Sequence, residues 1–551
     1  MRLLAAKTLP SKPAARQWYQ FWYEVQAHRI QVRVDLIHQT VMATAASLPA
    51  SRVARLSLRF APSLPDLFFA MLLAALFGRL QNWQVLLSDG DTGWHIRTGD
   101  FILRSRAVPT RDLFSFSRAG QPWYAWEWLS DMVFAQLHRW GGLEAVAAFC
   151  AAAVCAAATL LFCWLLHRGA GLWISLAATL ASASASSVHF LARPHLFSLL
   201  LLPGALWILD EDLRLPTPRV WWLVPLAALW ANLHGGFVAW LGILAWLVVA
   251  GALARNRAAV RRYGWLAALS ALATLLNPYG WQLHRHIFSY VSSPWILDHV
   301  MEFQSPRIRE ENMLMFAVLL LAGVALAARG WRRGKWFWAG LTLLWGFAAL
   351  RSARHIPLFA VVAAPVIASE CASWWAQHAE SARPHSAVRI LWLSSLELGS
   401  RRRVTPWIAV LGAVALLVAL PQAGLADFPG SFFPAAAVAR NLDRLAGPAA
   451  PRILTSDQWA DYLIYRLYPR VRVFFDGRSD FYGPSVGEDY RTLLDAGRRW
   501  PEVMARYGFQ LALLPRDWPL GQILERDPGW REVYRDHQAV LLARREGGAE
   551  R

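Results

Sequence analysis

Charged residues, lysine and cysteine are all scarce in this 551-residue sequence. Only 17% of the residues are charged and 56% are hydrophobic, which argues against the about three or four soluble domains that the length alone suggests. The basic residues are almost all arginine, since the only lysines are Lys7, Lys12 and Lys335. This composition indicates a membrane protein.

The few cysteines have no spacing that predicts a zinc site or a redox pair. Cys150, Cys155 and Cys163 share one apolar run, where they are interpreted as small packing residues. Because no cysteine follows Cys371, the C-terminal region is not a disulfide scaffold.

The formal net charge of +19 raises the question of nucleic-acid binding. The sequence lacks zinc-finger spacing, an RNP-like aromatic strand and a basic helix followed by heptads. Its arginines instead separate long apolar runs, where short basic loops mark the cytoplasmic side of a membrane. We therefore expect a lipid bilayer and no nucleic acid as partner. Residues 1–64 lack the apolar core of a signal peptide and are interpreted as a cytoplasmic N-terminal extension.

Eleven apolar runs reach, or nearly reach, the about 20 residues that a helical membrane span needs. They lie at 66–87, 143–167, 172–191, 196–209, 220–233, 237–254, 265–277, 312–328, 337–350, 356–370 and 405–421. With a cytoplasmic N-terminus, the basic clusters at 255–262, 329–335 and 401–403 fall inside, as the charge rule requires. The loop 88–142 also contains several arginines but falls outside, so this loop is an exception to the charge rule. The predicted transmembrane domain covers residues 65–423 and includes this external loop.

The periodicity changes after about residue 424, where short strand patterns alternate with helical ones. Strands are predicted at 452–455, 472–475, 509–514 and 539–543, and helices at 458–466, 488–498 and 500–507. After eleven spans, residues 424–551 form a small external α/β domain. The predicted fold class is thus a polytopic α-helical membrane protein with about eleven transmembrane helices.

The same topology places five polar clusters at span ends on the external face. They are residues 88–95, 192–195, 232–236, 277–280 and 351–355. Polar groups at membrane depth are costly and usually mark a cavity or a substrate path. Five clusters at one face therefore predict a functional site.

Asp89 and Asp91 open the first external loop. In an extended segment two such carboxylates point the same way, which suits a divalent cation or a base with a like-charged neighbour. The alternative is a pair of solvated loop aspartates. No HExxH motif provides a separate zinc site.

The loop continues with an aromatic segment and a helical pattern at 126–140. This pattern predicts an interfacial amphipathic helix with Glu127 and Asp131 on or near its polar side. Glu127 is interpreted either as a third catalytic carboxylate or as a solvated interfacial residue. His95, in the first polar cluster, is a candidate substrate-binding residue.

The other clusters supply cations and amides. Arginine offers forked donors to phosphate oxygens, and the alternative role for each residue is to anchor lipid headgroups at a helix end. The candidate phosphate ligands are Arg193, His195, Arg351, Arg354 and His355. Asn232 and His234 could line a cavity or cap and pack a helix end.

Residues 483–487 match the GxSxG pattern of a nucleophile elbow. The preceding predicted strand ends near Phe475, so we interpret this segment as a turn. An external hydrolase would require Ser485 to lie near a histidine.

Several segments together resemble known membrane proteins. An external first loop with a DxD-like pair, many spans and an external C-terminal α/β domain resembles the GT-C class of membrane glycosyltransferases, which includes protein mannosyltransferases and oligosaccharyltransferases. More closely, a set of motifs over about residues 66–545 resembles a family of bacterial multispanning membrane proteins. These motifs are DGDTGWHIRTGDFIL, PTRDLFSFS, WEWLSD, ARPHLFS, NLHGGF, NPYG, RHIPLF and VFFDGRSDFYG.

The GT-C resemblance implies that a first-loop carboxylate is the catalytic base, a place that only Asp89 or Asp91 matches. Asp461 and Tyr462 faintly echo the WWDYG element of oligosaccharyltransferases, but Trp459-Ala460-Asp461-Tyr462 lacks its second tryptophan and its glycine. The resemblance also implies a location in the bacterial inner membrane.

The leading hypothesis is a glycosyltransferase that moves a sugar from a polyprenyl-phosphate donor to a glycan, lipid or protein acceptor at the external, periplasmic face. Asp91 would take the acceptor proton, and Asp89 would orient Asp91 or help bind a metal. Arg193, His195 and Arg354 would hold the departing phosphate. The alternative is a non-enzymatic lipid or polysaccharide carrier or an assembly scaffold.

Overall fold

The computed structural model describes residues 62–77, 80–309, 313–400, 427–448 and 450–545, together with residue 412. The predicted span at 405–421, the basic cluster at 401–403 and nearly all of the N-terminal extension lie outside these residues. The described chain is mostly helical, with a small sheet near its C-terminal end.

Each predicted span that lies within the described residues is at least partly helical. The helices are α1 Leu64–Phe77, α2 Leu80–Leu86, α3 Asp91–Ser105, α4 Trp128–His167, α5 Leu172–Ser186, α6 His195–Arg214, α7 Leu223–Leu233, α8 Phe237–Leu253, α9 Arg257–Ala273, α10 Trp281–Val291, α11 Pro294–His299, α12 Leu314–Arg332, α13 Trp336–Arg351, α14 Ile356–Ser381 and α15 Ala387–Ser400. Helices α3, α10, α11 and α15 lie outside the predicted spans.

Three stretches of the described chain are long and apolar enough to cross a membrane, judged by length and composition. They are Trp128–His167, Leu314–Arg332 and Ala353–Ser381, the last of which contains α14. Helices α1 and α8 are apolar but shorter. A membrane-spanning helical protein is therefore supported, and the number of eleven spans stays a prediction.

Helix α4 bends at two glycines near its first third. Gly142 has φ 66° and ψ −159°, a conformation that glycine adopts much more readily than other residues. The bend separates the predicted amphipathic segment 126–140 from the predicted span 143–167, so the structure confirms both as helical. The expectation of a solvated polar side is wrong for Asp131, which is fully buried.

The C-terminal part contains helices and a four-stranded sheet. Its helices are α16 Ala435–Arg440, α17 Leu442–Leu445, α18 Asp457–Leu467, α19 Ser479–Leu494, α20 Trp500–Tyr507 and α21 Pro519–Leu524. Its strands are β1 Ile453–Leu454, β2 Leu511–Pro515, β3 Trp530–Arg535 and β4 Ala539–Arg544, in the order β1-β2-β4-β3. Strand β1 is parallel to β2, and the other pairs are antiparallel.

The first loop joins this sheet directly. Val473 forms parallel bridges with Ile453 on one side and with Ser115 on the other. The backbone of Phe116 donates to the Val473 carbonyl at 2.9 Å, and Val473 donates to the Phe114 carbonyl at 2.9 Å. One hydrophobic core runs from α1 and α4 into the sheet. The loop and the C-terminal part therefore pack as one body over the helices.

Candidate active site at one end of the helix bundle

Glycines let α3 approach its neighbours closely. A Cβ on Gly93 would lie 2.6 Å from the Asp461 carbonyl oxygen and 2.8 Å from the Tyr465 Cβ, both in α18. On the opposite face, a Cβ on Gly99 would collide with the Asp131 backbone of α4. Helix α3 is thus clamped between α18 and α4, which fixes the carboxylates at its N-terminal end.

Asp91 is buried and half paired. Its Oδ2 lies 2.8 Å from Arg193 Nη2, whereas its buried Oδ1 has no hydrogen-bond partner among the described residues. Burial raises the pKa of Asp91, Arg193 opposes the rise, and Asp89 and Glu302 add to it. The backbone N–H of Asp91 also donates to Asp89 Oδ1 at 3.0 Å.

Asp461 faces Asp91 across a small gap beside Gly477. A Cβ on Gly477 would collide with Asp91 Oδ1 and would lie 2.9 Å from Asp461 Oδ2. The Gly477 N–H donates to both Asp461 carboxylate oxygens at 3.2 Å. Burial and then Asp91 raise the pKa of Asp461 well above its ordinary value. Two facing buried carboxyls disfavour double ionisation, and because Arg193 stabilises ionised Asp91, the proton that the pair retains belongs on Asp461.

Arg193 lies among three carboxylates. Its Nη1 contacts Asp89 Oδ2 at 2.9 Å and Glu302 Oε1 at 2.5 Å, and its Nη2 contacts Asp91. Although burial opposes it, Arg193 and Arg354 lower the pKa of Glu302 well below its ordinary range. The predicted phosphate ligand therefore neutralises acidic groups.

The contacts of Arg193 also decide whether Asp89 and Asp91 can bind the predicted divalent cation. Within the part of the chain that the structure describes, no group of three or more His, Cys, Asp or Glu residues is arranged to hold a metal ion. The oxygens of Asp89 and Asp91 that converge are already bound by the Arg193 guanidinium. The residues as placed do not fit a cation at this pair.

A second chain of buried groups leads from α4 towards a cavity. His95 Nδ1 lies 2.6 Å from Asp131 Oδ1, and His95 Nε2 lies 3.8 Å from Glu127. Glu127 in turn lies 3.5 Å from His234 Nε2. The Gly236 N–H donates to His234 Nδ1 at 3.0 Å, so Nε2 carries the proton of the neutral ring and points it towards Glu127.

Burial sets the ionisation of these two groups. It raises the pKa of Glu127 from 4.5 to about 8, against the opposing charges of Arg193 and Arg354. It also lowers the pKa of His234 to about 3, and both arginines act in the same direction. Glu127 is therefore mainly a neutral acid at pH 7, and the expectation of a solvated residue is wrong.

A cavity of about 1080 Å³ opens beside this chain. Its walls come from α6, α8, α10, α11, α13 and α14, and the segment around Phe303 closes one side. Five of the predicted substrate-binding residues line it, namely His195, His234, Arg351, Arg354 and His355. The Arg354 guanidinium lies 4.4 Å from the centroid of the Phe303 ring. Phe303 directly follows Glu302 in the sequence. The cavity thus ends beside the carboxylate and arginine cluster.

The other three predicted substrate-binding residues are placed differently. His95 is buried against Asp131, and Arg193 is bound by carboxylates. The Asn232 side chain accepts from Trp128 Nε1 and donates to the carbonyls of Ala228 and Leu276, each at 2.8 Å. Asn232 therefore ties helix ends together and does not line the cavity.

A buried arginine connects the first loop to the C-terminal part. Arg478 donates to Asp112 at 2.9 Å and to Asp476 at 2.6 Å, and its guanidinium lies 4.5 Å from the Trp123 ring centroid. This network gives a structural role to the acidic residue of the PTRDLFSFS motif and to the acidic and basic residues of the VFFDGRSDFYG motif. It also positions Gly477 against Asp91.

Ser485 does not form a hydrolase site. It is exposed and makes no hydrogen bond to a histidine within the described chain. Gly483, with φ 67°, kinks α19, and residues 484–487 are helical, so the interpretation of the whole segment as a turn is wrong and holds only at Gly483.

Three residues at the site were absent from the predicted set. Glu302 carried no motif, and Asp131 ends the WEWLSD motif but was not assigned a role at the site, since each meets its partner only through the fold. Asp461 carried a signal in its faint likeness to the WWDYG element. Its carboxylate lies beside Asp91, and its helix packs on the DxD segment.

Solved structures of similar fold include an archaeal oligosaccharyltransferase. AglB from Archaeoglobus fulgidus, in complex with an inhibitory peptide and a dolichol-phosphate, aligns with a TM-score of 0.54 and 14% identity over 82% of this chain and 69% of that chain. The A. fulgidus oligosaccharyltransferase tethered to an acceptor peptide with the NVT sequon aligns with a TM-score of 0.53 and 13% identity over 88% and 74%. No protein-family model and no curated protein matches the chain. The alignments confirm the GT-C-like fold.

Proposed function

We propose that this protein is a membrane glycosyltransferase that moves a sugar from a polyprenyl-phosphate donor to an acceptor hydroxyl at the external face of a bacterial inner membrane. The observation that carries this proposal is the cavity, which combines apolar walls with a cationic end. This end adjoins the segment of Glu302, whose partner Arg193 also binds the buried, half-paired Asp91. The acceptor is a glycan, a lipid or a protein.

The cavity suits a lipid phosphate in both of its parts. The apolar helices provide a path for a polyprenyl chain, and Arg351, Arg354 and His355 provide donors for the phosphate oxygens. The archaeal oligosaccharyltransferase of similar fold was solved with a dolichol-phosphate, which supports a ligand of this class. Arg193 takes another role in this proposal, because a phosphate at Arg193 would meet three carboxylates.

The proposed reaction is a displacement at the anomeric carbon of the donor sugar. The acceptor oxygen forms a bond to this carbon, and the bond from the carbon to the phosphate oxygen breaks. Polyprenyl phosphate leaves with the bonding electrons, and the acceptor proton passes to Asp91 Oδ1, which accepts no hydrogen bond in the part of the chain that the structure describes. Arg351 and Arg354 stabilise the negative charge that develops on the phosphate.

The surrounding groups hold these parts in place. Asp89 binds the Asp91 N–H and Arg193, which orients the base. Neutral Glu127 lies between His95 and His234, and hydrogen bonds from Ser198 Oγ and the Gly236 N–H to Nδ1 hold the ring of His234 at the cavity wall. Asp461 and Gly477 bring the C-terminal part to the base, where an acceptor would enter.

The test is an Asp91→Asn variant of the full chain in a lipid membrane. Asparagine keeps the shape of the side chain but cannot accept the proton, so sugar transfer should fall by about 100-fold or more while binding of polyprenyl phosphate remains. The control is Asp100→Asn, since Asp100 lies on the same helix and pairs with Arg97 and Arg139.

Two outcomes would contradict the proposal. Unchanged transfer in Asp91→Asn would remove Asp91 as the base. A wild-type protein that binds polyprenyl phosphate but transfers no sugar to any acceptor would support the lipid-carrier alternative.

A further inference from the structure

Arg193 is held in a fixed place among its three carboxylates. It lies in the segment between α5 and α6, and both backbone groups of its neighbour Ala192, the N–H and the carbonyl, form hydrogen bonds. The Ala192 N–H donates to the Leu86 carbonyl at 2.7 Å, and Thr92 Oγ1 donates to the Ala192 carbonyl at 2.9 Å. The segment is therefore tied to the end of α2 and the start of α3, which brings the guanidinium to the DxD pair.

The carboxylates come from two separate parts of the chain. Asp91 begins α3 and Asp89 lies two residues before it, whereas Glu302 belongs to the segment between α11 and α12. This second segment is itself fixed, since Ser352 Oγ donates to the Glu302 carbonyl at 2.9 Å and the Ala353 N–H donates to the Gln304 carbonyl at 3.0 Å. The fold thus assembles three acidic side chains around one point and places a cation there.

An arginine and a metal ion cannot both use this point. A divalent cation would need the converging oxygens of Asp89, Asp91 and Glu302 as ligands at about 2.0 to 2.6 Å. Those oxygens lie 2.5 to 2.9 Å from the two terminal nitrogens of Arg193, which therefore fill the space between them. The guanidinium is always protonated, so it supplies a permanent positive charge.

We propose that Arg193 takes the place of a divalent cation at the DxD pair, so that the protein binds no metal there and transfers sugar without one. The absence of metal binding is independent of the reaction, whereas sugar transfer without a metal rests on the glycosyltransferase function proposed above. Arg193 is a positioning residue in this account, because it acts on the reaction through Asp89 and Asp91.

The experiment measures Mn²⁺ binding to the purified full chain in nanodiscs by electron paramagnetic resonance. Wild-type protein should bind no Mn²⁺ at this site. Arg193→Ala leaves three carboxylates without their cation and should create a Mn²⁺ site. Adding Asp91→Asn to that variant removes a ligand and should weaken the new site by at least about tenfold.

The matched control is Arg354→Ala. It removes an arginine from the same end of the molecule but leaves Arg193 on its carboxylates, so no Mn²⁺ site should form. Arg193→Lys covers the case in which Arg193→Ala fails to fold, since it retains a cation among the carboxylates and should bind no Mn²⁺.

Two results would overturn the proposal. One is stoichiometric Mn²⁺ binding by the wild type that Asp91→Asn abolishes. The other is the loss of wild-type sugar transfer in EDTA with recovery in Mn²⁺. Because Mn²⁺ binding is measured without any sugar, an absence of transfer activity would count against the proposed function and leave the binding result standing.

Discussion

The buried carboxyl groups of this site differ in the charges around them. Glu302 faces Arg193 and Arg354 and is held ionised, whereas Glu127 lies between two neutral histidines and holds its proton. Asp91 is intermediate, because one oxygen is bound by Arg193 and the other faces Asp461. Three acids within one small region can therefore serve as anchor, neutral bridge and base.

The protonated state of Glu127 gives a prediction about stability and pH. The folded protein retains a proton on Glu127 up to about pH 8, whereas the unfolded chain releases it above about pH 4.5. The stabilisation is fully present below pH 4.5 and falls by up to about 1.4 kcal/mol per pH unit until about pH 8. We expect Glu127→Gln, which cannot titrate, to lose less stability over this range.

The measurement is the midpoint of thermal unfolding from pH 5 to pH 8. Other buried acids titrate in both proteins, so the informative quantity is the difference between wild type and variant. The exposed Glu488 provides a control, because Glu488→Gln should follow the wild type. Parallel curves for wild type and Glu127→Gln would show that Glu127 is ionised in the folded protein.

Residue types near the site were predictable, but most pairings were not. Asp89, Asp91 and the arginines stand out because polar residues at span ends are costly. Glu302 has no such signal, since its role depends on a contact with Arg193, which lies 109 positions earlier. The sequence hypothesis assigned Arg193 to the donor phosphate, whereas in the structure its guanidinium contacts three carboxylates.

At the scale of elements, α3 is the part that organises the site. It is a short helix with glycine on two faces, and α18 and α4 press against those faces. Small residues at such contacts allow two helix backbones to approach closely. The DxD pair is thus positioned from both sides.

Gly93→Ala should disturb this packing. The new Cβ would lie 2.6 Å from a carbonyl oxygen and 2.8 Å from another Cβ, and neither neighbour is a flexible side-chain end. We expect a destabilisation of about 1 to 3 kcal/mol and a loss of sugar transfer as Asp91 moves from Asp461.

The control for this change is Gly264→Ala in α9, where a Cβ meets nothing within 4 Å. Alanine should be neutral or stabilising there, by up to about 1 kcal/mol. Thermal unfolding of both variants checks the difference. Equal stability of the two would mean that α3 does not need the close approach.

Element prediction succeeded where periodicity is strong. Within the described residues, the apolar runs are at least partly helical and the predicted helices at 458–466 and 500–507 are helical, because a single pattern covers each of them. Strand β3 was missed, since its residues are mostly exposed and its register shifts between Glu532 and Tyr534. The segment 472–475 pairs only at Val473, because the chain then turns into the Asp476 and Gly477 corner.

At the scale of the whole molecule, the two ends of the helix bundle differ in charge. The polar clusters of the site meet at one end, together with the C-terminal part. Helices α6, α8 and α14 run from that end to the other, where exposed arginines accumulate, including Arg255, Arg257 and Arg332. Acids there neutralise part of this charge, as Asp212 does for Arg262 at 2.7 Å and Glu370 for Lys335 at 2.8 Å.

This asymmetry predicts the orientation of the protein. Cytoplasmic loops carry the excess of basic residues, so the arginine-rich end should lie in the cytoplasm and the site should lie outside. A cysteine at Glu502, an exposed position of α20, should then react with a membrane-impermeant maleimide on sealed spheroplasts. A cysteine at Arg257 should react only after detergent opens the membrane, because this residue begins α9 at the arginine-rich end.

Both variants need a background in which the four native cysteines are replaced by alanine, since Cys371 is exposed. The reverse labelling pattern would place the cavity and Asp91 in the cytoplasm, and the donor would then have to present its sugar on that side.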